Sequence, residues 1–98
     1  MCGMTGVVNA AGATGQDVWK MVEAIKYRGV DEQGVHEIGP AILGHARLAV
    51  VDPDNGKQPM SNTDGTVWVV FNGEIFNFIE LREQLKAKGY VFKSRCDT

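Results

Sequence analysis

The second residue is a cysteine, set in Met1-Cys2-Gly3-Met4-Thr5-Gly6-Val7. Trimming of Met1, which a small second side chain permits, would put a thiol and a free α-amine on one residue. An α-amine titrates near ~7.7–8.0, well below lysine, so it can act as base beside its own nucleophile at neutral pH. An internal cysteine needs a histidine or a helix terminus for the same activation. The plain alternative is a cysteine that merely follows the start codon.

Three more segments carry polar groups at the ends of apolar runs. In Gly44-His45-Ala46-Arg47-Leu48-Ala49-Val50-Val51-Asp52, Arg47 interrupts a hydrophobic stretch. A buried arginine must find acceptors, and its planar fork suits a carboxylate; an arginine on the solvent face of a strand needs neither. Asn72-Gly73-Glu74 follows the most apolar run of the chain. Glycine there lets a ligand approach the backbone, and the Gly73 N–H with the Asn72 side-chain amide can face developing negative charge. The same Asn-Gly pair is also the commonest hairpin signal. Asp97 can pair with a ligand ammonium or stand as a solvated carboxylate. His36 and His45 lack partners at metal-ligand spacing, and Cys96 reads as a passive thiol.

These residues need elements to hold them. Gly3 to Val8 is short and β-branched, the pattern of a strand with Cys2 at its tip. Thr14 with Asp17 resembles a capping box and opens a helix over about Gln16–Tyr27, whose stripe is Val18, Val22 and Ile25; Gly29 ends it. Gln33 to Ile38 reads as a strand candidate with Gly39-Pro40 as a break, and Ala41 to Ala46 and Leu48 to Val51 are apolar runs on either side of Arg47. Turns are expected at Asp52–Gly56 and Asn62–Thr66. Val67 to Phe71 predicts a central strand covered on both faces. A second helix starts near Asn77, with Phe78, Leu81 and Leu85 on one face and Gly89 as C-cap, before a last strand at Tyr90–Lys93. Met4, Met21 and Met60 are expected as core filler, and Trp19 and Trp68 as core or interface aromatics. This order predicts an α+β fold with mostly antiparallel pairing.

Composition narrows the function classes. The 98 residues fit one small domain, and 44% apolar with 22% charged content is that of an ordinary globular chain. A net charge of −2 gives no basic face for nucleic acid or anionic lipid. No apolar run approaches the ~20 residues of a membrane span, and no secretory signal opens the chain. A reducing, cytoplasmic setting with two free thiols is the expectation.

The ordered segments Met1-Cys2-Gly3, Arg28-Gly29-Val30-Asp31-Glu32-Gln33-Gly34, His45 to Asp52, Gln58-Pro59-Met60 and Asn72-Gly73-Glu74-Ile75-Phe76-Asn77 carry a resemblance, extended by Glu80-Leu81-Arg82, Leu85, Gly89 and Asp97-Thr98. Over essentially its whole length the chain resembles the glutaminase domain of glutamine-hydrolysing asparagine synthetases. That domain is a class II, N-terminal-nucleophile glutamine amidotransferase. The resemblance implies the first part of an αββα sandwich, two antiparallel sheets between helix layers, with residues 1–98 as the amino-terminal part of one amidotransferase domain.

It also implies roles. Cys2 attacks the side-chain amide of L-glutamine, and Asn72 and Gly73 hold the oxyanion. Arg47 meets the substrate α-carboxylate, and Leu48, Val50 and Val51 shape the pocket. Asp97, with help near Glu74, takes the α-ammonium. Partners implied are the remainder of the glutaminase domain and a carboxy-terminal synthetase domain, with a homodimer left open. ATP and magnesium belong to that synthetase domain, whose Ser-Gly-Gly-x-Asp-Ser loop is not in this sequence, so no cofactor is expected here. Val30 stands where family members usually carry proline, which predicts a looser turn after the first helix. Two alternatives remain at this stage: an inactive fragment that only binds a complementary chain, and a related amidotransferase with another ammonia acceptor.

Overall fold

The computed structural model describes all residues, Met1–Thr98. Strand β1 (Gly3–Val8) leads from Cys2 through a Gly/Ala turn into helix α1 (Gly15–Ile25), which tightens into a 3₁₀ turn at Lys26–Arg28. Thr14 is extended at the N-cap, and the Asp17 carboxylate accepts both its N–H and its O–H at 2.9 Å. Val18 and Val22, one turn apart, are fully buried. They rest on β3 (Ala41–Arg47) at Gly44, where an added Cβ would lie 2.6 Å from the Val22 and 2.8 Å from the Val18 side chain. That close approach of helix to sheet is why the position carries no side chain.

Strand β3 is central in a three-stranded antiparallel sheet. It pairs with β1 in the register Gly3↔Ala46 and with β2 (Glu32–Ile38) in the register Glu32↔Arg47. A second sheet joins β4 (Met60–Ser61) to β5 (Trp68–Val69). Its turn is fastened by Asn62 and Asp64 side chains, and Trp68 stacks on His36 of β2 with ring centroids 3.4 Å apart. Helix α2 (Phe78–Ala87) closes at Gly89, whose φ of +91° is the left-handed turn that glycine adopts without steric cost. Two helices and two small antiparallel sheets make the α+β class expected from the element order.

Several expectations are corrected. The run Val67–Phe71 forms only the two-residue β5, because β4 is its sole neighbour; one face is partly covered, with Trp68 stacked on His36, while Val67 and Val69 on the other are exposed. Leu48–Val51 is a loop, since the chain after β3 folds back so that its carbonyls meet the Arg47 side chain. Tyr90–Lys93 forms no strand, having no neighbour to pair with. Helix α2 has no fully buried residue: of its Phe78, Leu81 and Leu85 stripe, Phe78 is half-buried and Leu81 and Leu85 are exposed. Met4 and Met21 lie exposed rather than in the core.

The core is therefore the seam between α1 and the larger sheet. The accessible surface of 6467 Å² exceeds the about 5500 Å² of a compact 10.7 kDa monomer. The radius of gyration of 14.2 Å likewise exceeds the about 12.6 Å expected for this length. Much of the excess is apolar: Phe76 is 91% exposed, and Ile79, Tyr90 and Val91 stand in solvent with it. No helix is long and apolar enough to cross a membrane.

Candidate active site

The register of the larger sheet sets Cys2 just before the Gly3↔Ala46 pair, beside the end of β3. Its sulfur accepts the Leu48 N–H at 3.3 Å, and its carbonyl accepts Arg28 Nε at 3.2 Å. The thiol is thus held against the first peptide after β3, with its own backbone anchored from the 3₁₀ turn. Arg28 can reach because Gly29 packs flush on β3; any side chain there would collide with the Ala46 carbonyl.

From Cys2 opens a cavity of about 720 Å³, within the range of small-molecule sites. Its wall includes all nine residues singled out above: Cys2, Arg47, Leu48, Val50, Val51, Asn72, Gly73, Glu74 and Asp97. Segments more than 40 residues apart in sequence converge here, which neither a hairpin turn nor a solvated tail requires. Gln58, Phe71, Ile75, Phe76, Phe78 and Cys96 also line it, without having been assigned a role.

The free and engaged hydrogen-bonding groups differ around the rim. The Asn72 side-chain amide and the Gly73 N–H have no protein partner, so two donors on the cavity wall are unengaged. Asp97 accepts the Ile75 N–H with Oδ2 at 2.9 Å, which ties the carboxy-terminal segment to the loop carrying Gly73 and leaves Oδ1 open. Arg82 of α2 binds the Cys96 carbonyl at 2.7 Å and holds the same segment from the other side.

Arg47 resolves differently from a strand-surface arginine. It is 5% exposed, and Nη1 donates to Glu32 Oε2 at 2.9 Å and to the Pro53 carbonyl at 2.8 Å. Nη2 donates to the carbonyls of Val51 and Asp52 at 2.9 and 2.8 Å. The fork therefore organises the Leu48–Pro53 loop, and Nε is its one donor without a protein acceptor. Gly56 is also fitted to this guanidinium, since an added Cβ would strike Nη2.

His45 is fully buried in β3, and its Nε2 donates to the Phe71 carbonyl at 3.1 Å. Burial holds the imidazole below its ordinary pKa of 6.5; the Phe71 bond opposes this shift and the Arg47 charge adds to it. Unfolded chain therefore binds this proton first as pH falls, so stability present above about pH 6.5 is lost on acidification towards the folded-state value. Chemical denaturation at pH 7, 6 and 5 should show a decline of up to ~1.4 kcal/mol per pH unit, flattened by His45→Gln. The carboxylates of Asp17, Asp52 and Asp64, held low chiefly by hydrogen bonds, titrate below 3.8 and stay out of this window.

No group of three His, Cys, Asp or Glu side chains is arranged to hold a metal ion. Both cysteines are free thiols.

Comparison with known proteins matches residues 1–98 to the family described as glutamine amidotransferase domain. The chain is 45% identical, over 100% of its length, to asparagine synthetase [glutamine-hydrolyzing] 1 of Bacillus subtilis, covering 16% of that protein. It is 41% identical to asparagine synthetase [glutamine-hydrolyzing] 2 of Lotus japonicus, with 99% of this chain and 17% of the relative aligned. The probable asparagine synthetase [glutamine-hydrolyzing] of Dictyostelium discoideum is 37% identical over 99% of this chain and 18% of its own length. The chain thus spans about a sixth of the length of the relatives it matches.

Proposed function

The chain belongs to the glutamine amidotransferase domain family, and from that premise we propose that it is the glutamine-hydrolysing part of an asparagine synthetase-type enzyme. The observation that carries this reading is one cavity in which the Cys2 sulfur shares a wall with two unengaged donors, on Asn72 and Gly73, and with the Glu74 and Asp97 carboxylates.

The chemistry begins with removal of Met1, which is exposed. The new α-amine takes the thiol proton as Cys2 Sγ attacks the side-chain amide carbon of L-glutamine. Negative charge gathers on the amide oxygen, where the Asn72 amide and the Gly73 N–H receive it. The amine returns the proton to the departing nitrogen, ammonia leaves, and water hydrolyses the thioester to glutamate.

Asp97 Oδ1 and Glu74 meet the substrate α-ammonium. Arg47 supplies positive charge toward the α-carboxylate, with Nε–H as the donor that the loop carbonyls leave available. Leu48, Val50 and Val51 form the wall beside the nucleophile. The ammonia is used to form asparagine from aspartate in a synthetase domain.

The excess surface supports the partner side of this reading. The exposed apolar residues of α2 and of the segment after it suit burial under the remainder of a glutaminase domain. Two free thiols are in keeping with a reducing cytoplasm. Incubation of the natural gene product with L-glutamine tests the proposal: glutamate and ammonia should appear in equal amounts, and a failure to release glutamate overturns it.

A further inference from the structure

The residue before the two oxyanion donors is held in an unusual way. Phe71 lies beyond the end of β5, so neither of its backbone groups is in a strand ladder. Both are instead bonded by side chains. Its N–H donates to Gln58 Oε1 at 2.6 Å, and its carbonyl accepts His45 Nε2–H at 3.1 Å. Gln58 passes its own Nε2–H to Thr98 Oγ1 at 3.2 Å, next to Asp97.

His45 belongs to the strand that sets the nucleophile, pairing with Met4 of β1 one register step from the Gly3↔Ala46 pair. On its other side it pairs with Gly34 of β2. That glycine is what admits Gln58, since a Cβ at position 34 would collide with the Gln58 carbonyl and lie 3.2 Å from Pro59 Cδ. The imidazole is buried, and its Nδ1 has no hydrogen-bond partner. A buried ring nitrogen without a partner is destabilising, so packing alone would favour an apolar residue here.

We propose that His45 and Gln58 are positioning residues that clamp the Phe71 peptide and thereby set the Asn72 and Gly73 donors opposite Cys2. The inference rests on the glutamine-hydrolysis reading above for its consequence, but the clamp itself is a matter of geometry. A displacement of about 1 Å in a catalytic group costs on the order of 10²-fold in rate, so two side chains that act through the Phe71 backbone can still govern turnover.

Three variants of the natural gene product test it. His45→Leu fills the space without a donor. His45→Gln restores an amide N–H at similar reach, and Gln58→Leu removes the other half of the clamp from a half-buried site. His45→Leu and Gln58→Leu should each lower kcat for glutamine hydrolysis by about 10- to 100-fold while KM stays within about threefold. His45→Gln should recover most of the loss. Unchanged kcat in both leucine variants overturns the proposal, and so does a parallel loss of kcat, KM and melting temperature that His45→Gln fails to rescue.

Backbone amide NMR gives a readout independent of the reaction. The Asn72 and Gly73 signals should move in His45→Leu and return in His45→Gln; signals that stay put overturn the clamp. If His45→Leu does not fold, Gln58→Leu carries the same spectral test. Wild-type protein without glutamine hydrolysis would sink the parent reading alone, and the spectra would still decide the clamp.

Discussion

Replacing Cys2 with alanine should abolish glutamate release from glutamine, lowering kcat by at least about 10³-fold, while the fold survives. The side chain is half-buried, and its only hydrogen-bonding partner is Leu48, whose N–H donates to the sulfur at 3.3 Å and whose carbonyl accepts weakly from the thiol at 3.8 Å. Loss of one such bond at a partly open site is worth about 1 kcal/mol, so the melting temperature should move by a few degrees at most. Glutamine should still bind, because Asp97, Glu74 and Arg47 are untouched. A variant that retained turnover would mean that the nucleophile lies elsewhere, and Cys96 on the same cavity wall would be the first place to look. Glutamate release and thermal melting on the same preparation separate lost chemistry from lost structure.

Asn72→Ala should be the next most damaging change. Its amide has no protein partner, so truncation leaves no buried group stranded and its effect falls on the transition state. Removal of one oxyanion donor costs about 10²–10³ in kcat, or about 2.7–4 kcal/mol, in acyl transfer. KM for glutamine should change little, since the donor meets charge that develops only as Cys2 attacks. A rise in KM at constant kcat would instead assign Asn72 to ground-state binding. Steady-state kinetics with glutamine as the varied substrate distinguish the two.

What could be read from the sequence followed local physics. The Thr14/Asp17 start and the helical spacing of Val18 and Val22 marked α1, and short runs bounded by turn residues marked β1, β2 and the apolar stretch that becomes β3. The candidate site residues stand in ordered motifs in the sequence, and their convergence on one cavity followed from the strand register rather than from any single segment.

What could not be read depends on neighbours. A run such as Val67–Phe71 specifies a strand but not how many strands flank it, and with β4 alone beside it the ladder stops at Val69. Arg47 was ambiguous because burial of a guanidinium depends on four acceptors, three of them carbonyls of a loop that folds around it. His45 and Gln58 had no visible role because their shared partner is the Phe71 backbone, and a main-chain group leaves no mark in the sequence. The orphaned Nδ1 of His45 is likewise a tertiary fact.

One measurement bears most directly on the central claim that the second residue is an amino-terminal nucleophile in a pocket built for glutamine. The natural gene product is treated with a diazo-ketone analogue of glutamine, then digested and mapped by mass spectrometry. The account predicts a single adduct on the sulfur of Cys2, on a peptide that begins at that residue, with free glutamine protecting it from modification. An unmodified Cys2 behind a retained Met1, or an adduct carried by Cys96 instead, would contradict it.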